Sequence, residues 1–310
     1  MNLELTGTTS SKINQALVDG RRATGSPATG MVLTLVIVTD EENCHDAVKA
    51  AADASHEHPC RILTVVRRRR RSETRLDADV QVGTGETVVL RLHGDLADQA
   101  DSVVLPLLLP DAPVVVWWPA DAPADPAADP LGALAQRRIT DAYAVAEPLQ
   151  DLAARAATYT PGDTDLAWTR LTPWRSLLAA ALQQARSDVT SAVVESEPDN
   201  PSAELLARWF AARLKVPVER VVTGGPVVTA VRLRTAAGEI HIDRPAGGVA
   251  TLSIPGQPTR VLALKVRTTA ELIAEELRRL DPDDAYAGAL RANVGSVADK
   301  GVSNAPQPVA

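Results

Sequence analysis

The sequence predicts an α/β protein: an N-terminal domain with a mostly parallel sheet flanked by helices, followed by a smaller α+β domain built on an antiparallel meander. Three observations carry this. Met31 to Thr39 and Val114 to Trp118 are continuous apolar, β-branched runs, which suit strands covered on both faces. Between Asp40 and Val66 the pattern reads strand, helix, strand, the βαβ unit. From Val227 to Lys265 apolar and polar residues alternate between glycine turns, the mark of antiparallel strands with one solvated face.

In chain order, residues 1–28 are polar and read as an arm with little core of its own. The Met31 to Thr39 strand is followed by Asp40, a natural N-cap, and an alanine-rich helix from Glu41 to about Ser55. Arg61 to Val66 is the next strand. Leu76 to Val82 and Glu86 to Leu92 alternate around Gly83-Thr84-Gly85 and form neighbouring strands. Leu96 to Leu109 reads as a helix ended by Pro110. Then comes the strand closing on Trp117 and Trp118, whose side chains must point to opposite faces, and Pro119 ends its ladder. Ala120 to Pro130 is a surface loop, Pro130 to Arg138 a short helix and Ala142 to Val145 a short strand. Helices follow at Leu149 to Thr158 and Pro173 to Arg186, with Pro173 suited to a first turn.

Composition changes near Ser187, which places the domains at 29–186 and 187–282, with 283–310 a weakly structured tail. In the second domain the elements are a strand at Ala192 to Glu195, a helix at Ser202 to Leu214 capped by Asn200 or Ser202, and the meander. A helix from Thr269 to Leu280, capped by Thr268 or Thr269, closes it.

Bulk properties narrow the function. With 45% hydrophobic and 23% charged residues the chain is an ordinary globular protein. A net charge of −7 argues against general nucleic-acid binding. No apolar run is long enough for a membrane span, and the N-terminus lacks a basic segment followed by an apolar one. Two cysteines make no disulfide framework, so a cytoplasmic setting is expected.

Motifs of catalysis are missing. There is no Walker loop, no nucleophile elbow, no zincin helix and no complete dinucleotide fingerprint around Gly83 and Gly85. Cys44, His45, His56, His58 and Cys60 have some ligand-like spacing, but nothing downstream completes a metal site, and none is assigned. No catalytic residue and no cofactor is assigned either. Cys44 and Cys60 remain a candidate redox pair, which requires Cα atoms within about 7 Å. Arg67 to Arg71 is either a solvated loop or an anion or partner-docking site at a strand's C-terminal end.

Two tryptophan segments stand out in a chain with five Trp but only one Phe and three Tyr. One is Leu105 to Pro119. The other is Asp165 to Arg175, which holds Trp168, Arg170, Trp174 and Arg175. Together they resemble the glucose-6-phosphate dehydrogenase assembly protein family (OpcA). His58 to Ile62, Val88 to Gly94 and Asp129 to Asp141 are similar to that family as well, and the resemblance runs from about Thr29 to about Leu280. It implies a non-catalytic protein that binds glucose-6-phosphate dehydrogenase, favours its active oligomer and so supports the oxidative pentose phosphate pathway and NADPH supply. The residues expected at the partner interface are Trp117, Trp118, Arg137, Arg138, Asp141, Trp168, Arg170, Trp174 and Arg175. Indoles and guanidinium groups suit such a face, because Trp and Arg are enriched among binding hot spots; the same groups also serve as core filling or as glue between domains. Asp129 to Asp141 is expected beside the end of the Trp117-Trp118 strand. The alternative is a sugar-phosphate- or nucleotide-binding enzyme on an open α/β sheet, using arginine-rich strand ends and His58 or His93.

Overall fold

The computed structural model describes residues 1–25, 30–68, 73–83 and 85–293. Along the chain run β1 (Asn2–Leu5), α1 (Ser10–Thr24), β2 (Leu33–Thr39), α2 (Glu41–Ala54), β3 (Cys60–Arg68), β4 (Arg75–Val82), β5 (Glu86–His93), α3 (Ala100–Val104), β6 (Val114–Trp117) and β7 (Arg137–Thr140). These are followed by α4 (Pro148–Thr158), β8 (Asp163–Asp165), α5 (Leu166–Thr169), α6 (Thr172–Ala185), β9 (Val189–Ser196), α7 (Pro201–Leu214) and β10 (Val218–Val222). Last come β11 (Val228–Thr235), β12 (Gly238–Asp243), β13 (Val249–Ser253), β14 (Arg260–Ala263), α8 (Thr269–Arg278) and α9 (Asp284–Arg291).

The chain divides into two units that are interleaved in sequence. One comprises Met1–Val145, Thr158–Leu166 and Thr268–Asp283. The other comprises Ala146–Ala157, Ala167–Arg267 and the described residues from Asp284 on. This differs from a single boundary near Ser187. The physical reason is that β8 and α8 join the first unit although they lie late in the chain: β8 pairs with β7, and Leu272, Ile273 and Leu277 of α8 enter the core that holds Leu35 and Ile37.

The first unit is a three-layer α/β/α arrangement around an eight-stranded sheet of order β1-β4-β5-β3-β2-β6-β7-β8. From β5 to β8 the neighbours are parallel, and β4 and β1 add an antiparallel edge. In the central register Val36 lies between Leu63 and Val116. Alternation along the strands feeds two cores. Leu35, Ile37, Ile62, Val115 and Trp117 pack with the α2 alanines and α8. Val36, Val38, Leu63, Val65, Val116 and Trp118 pack on the opposite face with Ile13 and Leu17 of α1. As expected, Asp40 caps α2, its Oδ1 accepting from the Asn43 N–H at 2.7 Å.

The second unit has a six-stranded sheet of order β10-β9-β11-β12-β13-β14. The meander from β11 to β14 is antiparallel as read from sequence, and β10 adds a parallel strand beside β9 that the sequence reading did not include. Asn200 caps α7. In the first unit, Thr268 and Glu271 form a reciprocal capping box at the start of α8.

Four sequence expectations are corrected. The arm without core expected at 1–28 is not what the described residues 1–25 form: β1 pairs with β4, and Ile13, Ala16, Leu17 and Gly20 place a helical stripe of α1 in the core, while 26–28 lie outside the described residues. The stretch expected as one helix from Leu96 to Leu109 is α3 between two 3-10 turns, Gly94–Gln99 and Leu105–Leu107; Pro106, without an N–H, cannot continue an α-helix. The helix and strand expected at 130–138 and 142–145 are a 3-10 turn at Gly132–Leu134, strand β7, and a second turn at Ala142–Ala144. Side-chain turn chemistry decides here, because Asp129 accepts from the Leu131 and Gly132 N–H groups and Asp141 from that of Tyr143. Lastly, the tail contains α9, which buries Tyr286, Ala287 and Leu290; residues 294–310 lie outside the described residues.

Candidate functional site

The four indoles expected at a partner interface are all interior. Trp117 and Trp118 are each 1% exposed, Trp168 1% and Trp174 2%. As surface anchors they are corrected. In a chain with a single Phe, tryptophan supplies the large apolar volume that the cores need. Trp117 and Trp118 leave β6 toward opposite faces and each fills one of the two cores of the first unit. In the second unit, Trp168 has its ring centroid 5.9 Å from that of Tyr286, and the Arg175 guanidinium lies 3.8 Å above it. The Arg244 guanidinium lies 4.9 Å from the Trp174 centroid while donating to the carbonyls of Val228 and Leu264.

Arg137 and Arg138 are buried as well, and for the same reason as charges usually are: each is fully engaged. Arg137 on β7 is ion-paired with Glu276 of α8 and donates to the Asp281 carbonyl at 2.9 Å. Arg138 donates to Asp163 at 2.5 Å and to the carbonyls of Ala135 and Pro161. Asp141, Arg170 and Arg175 are half-buried. The expected placement of Asp129 to Asp141 beside the Trp117-Trp118 strand end holds, because β7 pairs with β6 and Ile139 lies opposite Trp117.

Both cysteines are buried free thiols. Burial pushes the Cys60 thiol up to about 12. Burial, and then the nearby Glu41 carboxylate, raise Cys44. Neither is poised as a thiolate, the reactive form. Among the described residues no group of three or more His, Cys, Asp or Glu side chains could hold a metal ion. His93 is buried at the end of β5 with Nε2 3.0 Å from Asp77 Oδ2, and His58 stands in the bend before β3. Of the arginine run, Arg68 pairs with Glu41 at 2.7 Å and Arg67 faces Asp129 at 3.5 Å; Arg69, Arg70 and Arg71 lie outside the described residues.

What the structure brings together instead is a cleft of about 400 Å³ in the first unit, at the C-terminal ends of β2, β3 and β6. The chain leaves β2 toward β3 on one side, while β6 occupies the other, so this is where strand order reverses and where open α/β sheets bind ligands. Thr39 ends β2 and Asp40 follows it, Arg67 lies on β3, and Trp118 directly follows β6. Asp121 and Asp129 come from the following loop, with Val38, Ala120 and Pro123 as the apolar part. Three of these residues hold buried polar atoms without a hydrogen-bond partner among the described residues: Thr39 Oγ1, Arg67 Nε and Trp118 Nε1. The loop is fixed from below. Asp129 accepts two backbone N–H groups, and Gly132 packs so tightly that a Cβ there would lie 1.8 Å from the Pro126 carbonyl and 3.2 Å from the Trp118 ring. Of the cleft residues, sequence reasoning singled out Arg67 and Trp118, identified Asp40 only as a cap and Asp129 only as the start of a distinctive segment, and missed Thr39 and Asp121. The available signal was position: each lies at the end of a parallel strand or in the loop that follows.

Comparison with known proteins matches both halves of the chain. Residues 51–157 match the family described as the glucose-6-phosphate dehydrogenase subunit N-terminal domain, and residues 161–290 the one described as its C-terminal domain. A Synechocystis protein named for the OxPP cycle, OpcA, is 30% identical over 139 residues. That match covers 42% of this chain and 29% of the relative, so the chain aligns with less than a third of the relative's length. Among solved structures, the WlbA dehydrogenase of Chromobacterium violaceum, with NADH and UDP-GlcNAcA, aligns at a TM-score of 0.34 and 11% identity over 86% of this chain and 92% of that one. An E. coli structure titled for trehalose-6-phosphate, bound with UDP-2-fluoro glucose, aligns at 0.27 and 10% over 61% and 64%. Neither likeness is close enough to carry an argument. No helix of the described residues is long and apolar enough to cross a membrane.

Proposed function

Because the chain belongs to the glucose-6-phosphate dehydrogenase assembly (OpcA) family, we propose that it is a non-catalytic assembly factor that binds glucose-6-phosphate dehydrogenase and favours its active oligomer. The observation that carries this reading is the consecutive match of both family domains, which together span most of the chain. The relative named for the OxPP cycle supports the same pathway, with NADPH supply as the outcome. The proposed setting is the cytoplasm, consistent with two buried thiols and no disulfide.

Differential binding is the mechanism. A protein that binds the assembled dehydrogenase more tightly than the dissociated one shifts the equilibrium toward assembly, by no more than that difference in affinity. The interior indoles and the Arg137 and Arg138 pairs contribute to this role only by stabilising the unit in which each lies. The half-buried Asp141, Arg170 and Arg175 remain proposed contact residues.

The test is direct. Purified chain and dehydrogenase are mixed, and co-elution on size exclusion is measured with the dehydrogenase's KM for glucose 6-phosphate. A joint peak with a lowered KM or a larger dehydrogenase oligomer is the expected result. Separate elution with unchanged kinetics would count decisively against the reading.

A further inference from the structure

We infer that the cleft at the ends of β2, β3 and β6 is a binding site for a small, uncharged polyhydroxylated molecule, such as a free sugar or cyclitol. The inference goes beyond the proposed assembly function and does not depend on it.

The position and size come first. The cleft lies where the strand order of a parallel sheet reverses, the customary ligand site of open α/β folds. Its volume of about 400 Å³ falls within the range of small-molecule sites.

The chemistry of the walls then selects the ligand. Buried polar groups are almost always paired, and an unpaired one is costly. Here three of the residues that line the cleft carry such a group. Trp118 is 1% exposed, yet among the described residues its indole N–H has no acceptor, Arg67 Nε has none, and the Thr39 hydroxyl has no partner. All three are donors, and a ligand oxygen that reaches one of them would satisfy it. Carboxylates face the same space. Asp121 is exposed with no partner among the described residues, and Asp129 keeps one oxygen toward Arg67. A hydroxyl group is donor and acceptor at once, so a molecule rich in hydroxyls meets both kinds of wall, and its C–H faces suit Val38, Ala120 and Pro123.

A phosphate is disfavoured by two features. Asp40, Asp121 and Asp129 outnumber Arg67, so the lining is acidic. The N-terminus of α2, which would hold a phosphate in a nucleotide-binding fold, is already capped by the Asp40 carboxylate and carries Glu41 and Glu42 in its first turn. The strand joins the helix through Thr39 and Asp40 with no glycine, so the backbone cannot wrap a phosphate closely. A simple cation would satisfy the carboxylates but would leave all three donors without acceptors.

The experiment uses the full chain labelled with nitrogen-15 and follows the indole N–H resonance of Trp118, assigned by its loss in W118F. The probes are D-glucose, myo-inositol, glucose 6-phosphate, inorganic phosphate and methylguanidinium. The neutral polyols should shift that resonance saturably, and both phosphate probes and methylguanidinium should bind at least about tenfold more weakly. Asp121→Asn, at an exposed position outside the packing, should weaken polyol binding by roughly tenfold, as expected for exchanging a charged hydrogen-bond acceptor for a neutral one. No saturable shift with either polyol, tighter binding of a phosphate probe, or unchanged affinity in D121N would overturn the inference. So would tighter binding of methylguanidinium, which would assign the cleft to a basic side chain. Because no dehydrogenase is present, failure here is distinguishable from failure of the assembly reading.

Discussion

Arg137 and Glu276 form a buried ion pair between residues 139 positions apart, tying β7 to α8 inside the first unit. Arg137 Nε donates to Glu276 Oε2 at 2.8 Å, and its NH1 group donates to the Asp281 carbonyl. Replacing one partner leaves the other charge buried and alone. Glu276→Ala is therefore expected to lower stability by about 3–5 kcal/mol, read from urea denaturation. Replacing both, as in R137M/E276L, should recover most of that loss, since the desolvation of both charges is removed together. A single mutant within about 0.5 kcal/mol of the parent would contradict the burial of this pair.

The interior tryptophans give a second prediction. Trp174→Ala should lower stability by about 3–5 kcal/mol through lost burial and the cavity left behind. The same change would have been nearly neutral for stability had the ring stood on a docking face. Comparing unfolding midpoints with dehydrogenase co-elution separates the two roles.

Gly132→Ala tests the loop above the cleft. The new Cβ would meet the Pro126 carbonyl at 1.8 Å, a rigid backbone atom, so the loop must move. The expected cost is about 1–3 kcal/mol, as for other overpacked sites. A shift of the Trp118 indole resonance should accompany it, because that ring lies 3.2 Å from the added atom.

The thiols predict slow chemistry. With Cys60 pushed up to about 12 and Cys44 raised, both are protonated at neutral pH and shielded from solvent. Alkylation by iodoacetamide should be far slower than for a free cysteine and should accelerate when urea unfolds the chain. Rapid labelling of either in the native protein, or a change in dehydrogenase binding on mild oxidation, would restore the redox reading.

Asp77 sets an acid limit at the first edge of the large sheet. Burial alone would raise its pKa, but the Gly7 N–H, Arg75 and His93 together hold it below the ordinary aspartate value. A depressed folded-state pKa contributes stability above the unfolded-state value, lost as pH falls through the folded one. Stability of the native protein should therefore decline on acidification below the ordinary aspartate range, and Asp77→Asn should flatten that part of the profile. Hydrogen exchange at the Gly7 amide, which donates to Asp77 Oδ1 at 3.0 Å, reports it locally.

Particular elements show how far the sequence could be read. The β2-α2-β3 unit was legible because its apolar run, its Asp40 cap and its alanine face all agree locally. The meander was legible through period-two alternation and its glycine turns. The α1 stripe at Ile13, Ala16, Leu17 and Gly20 was present but diluted by polar neighbours. Strand β7 was obscured because two of its four residues are arginines, whose burial depends on Glu276 and Asp163, far away in the chain.

The sequence by itself determined the α/β class, the parallel sheet and meander, the main helix caps and the family. These follow from local periodicity, capping chemistry and long distinctive segments. Tertiary structure alone decided that the paired indoles fill two opposite cores, that Arg137 and Arg138 are buried partners rather than surface charges, and that Thr39, Arg67, Trp118 and Asp121 meet at one cleft. The reason is the same in each case: exposure and convergence are set by residues distant in the chain that pack against a side chain, and no local pattern records which ones those will be.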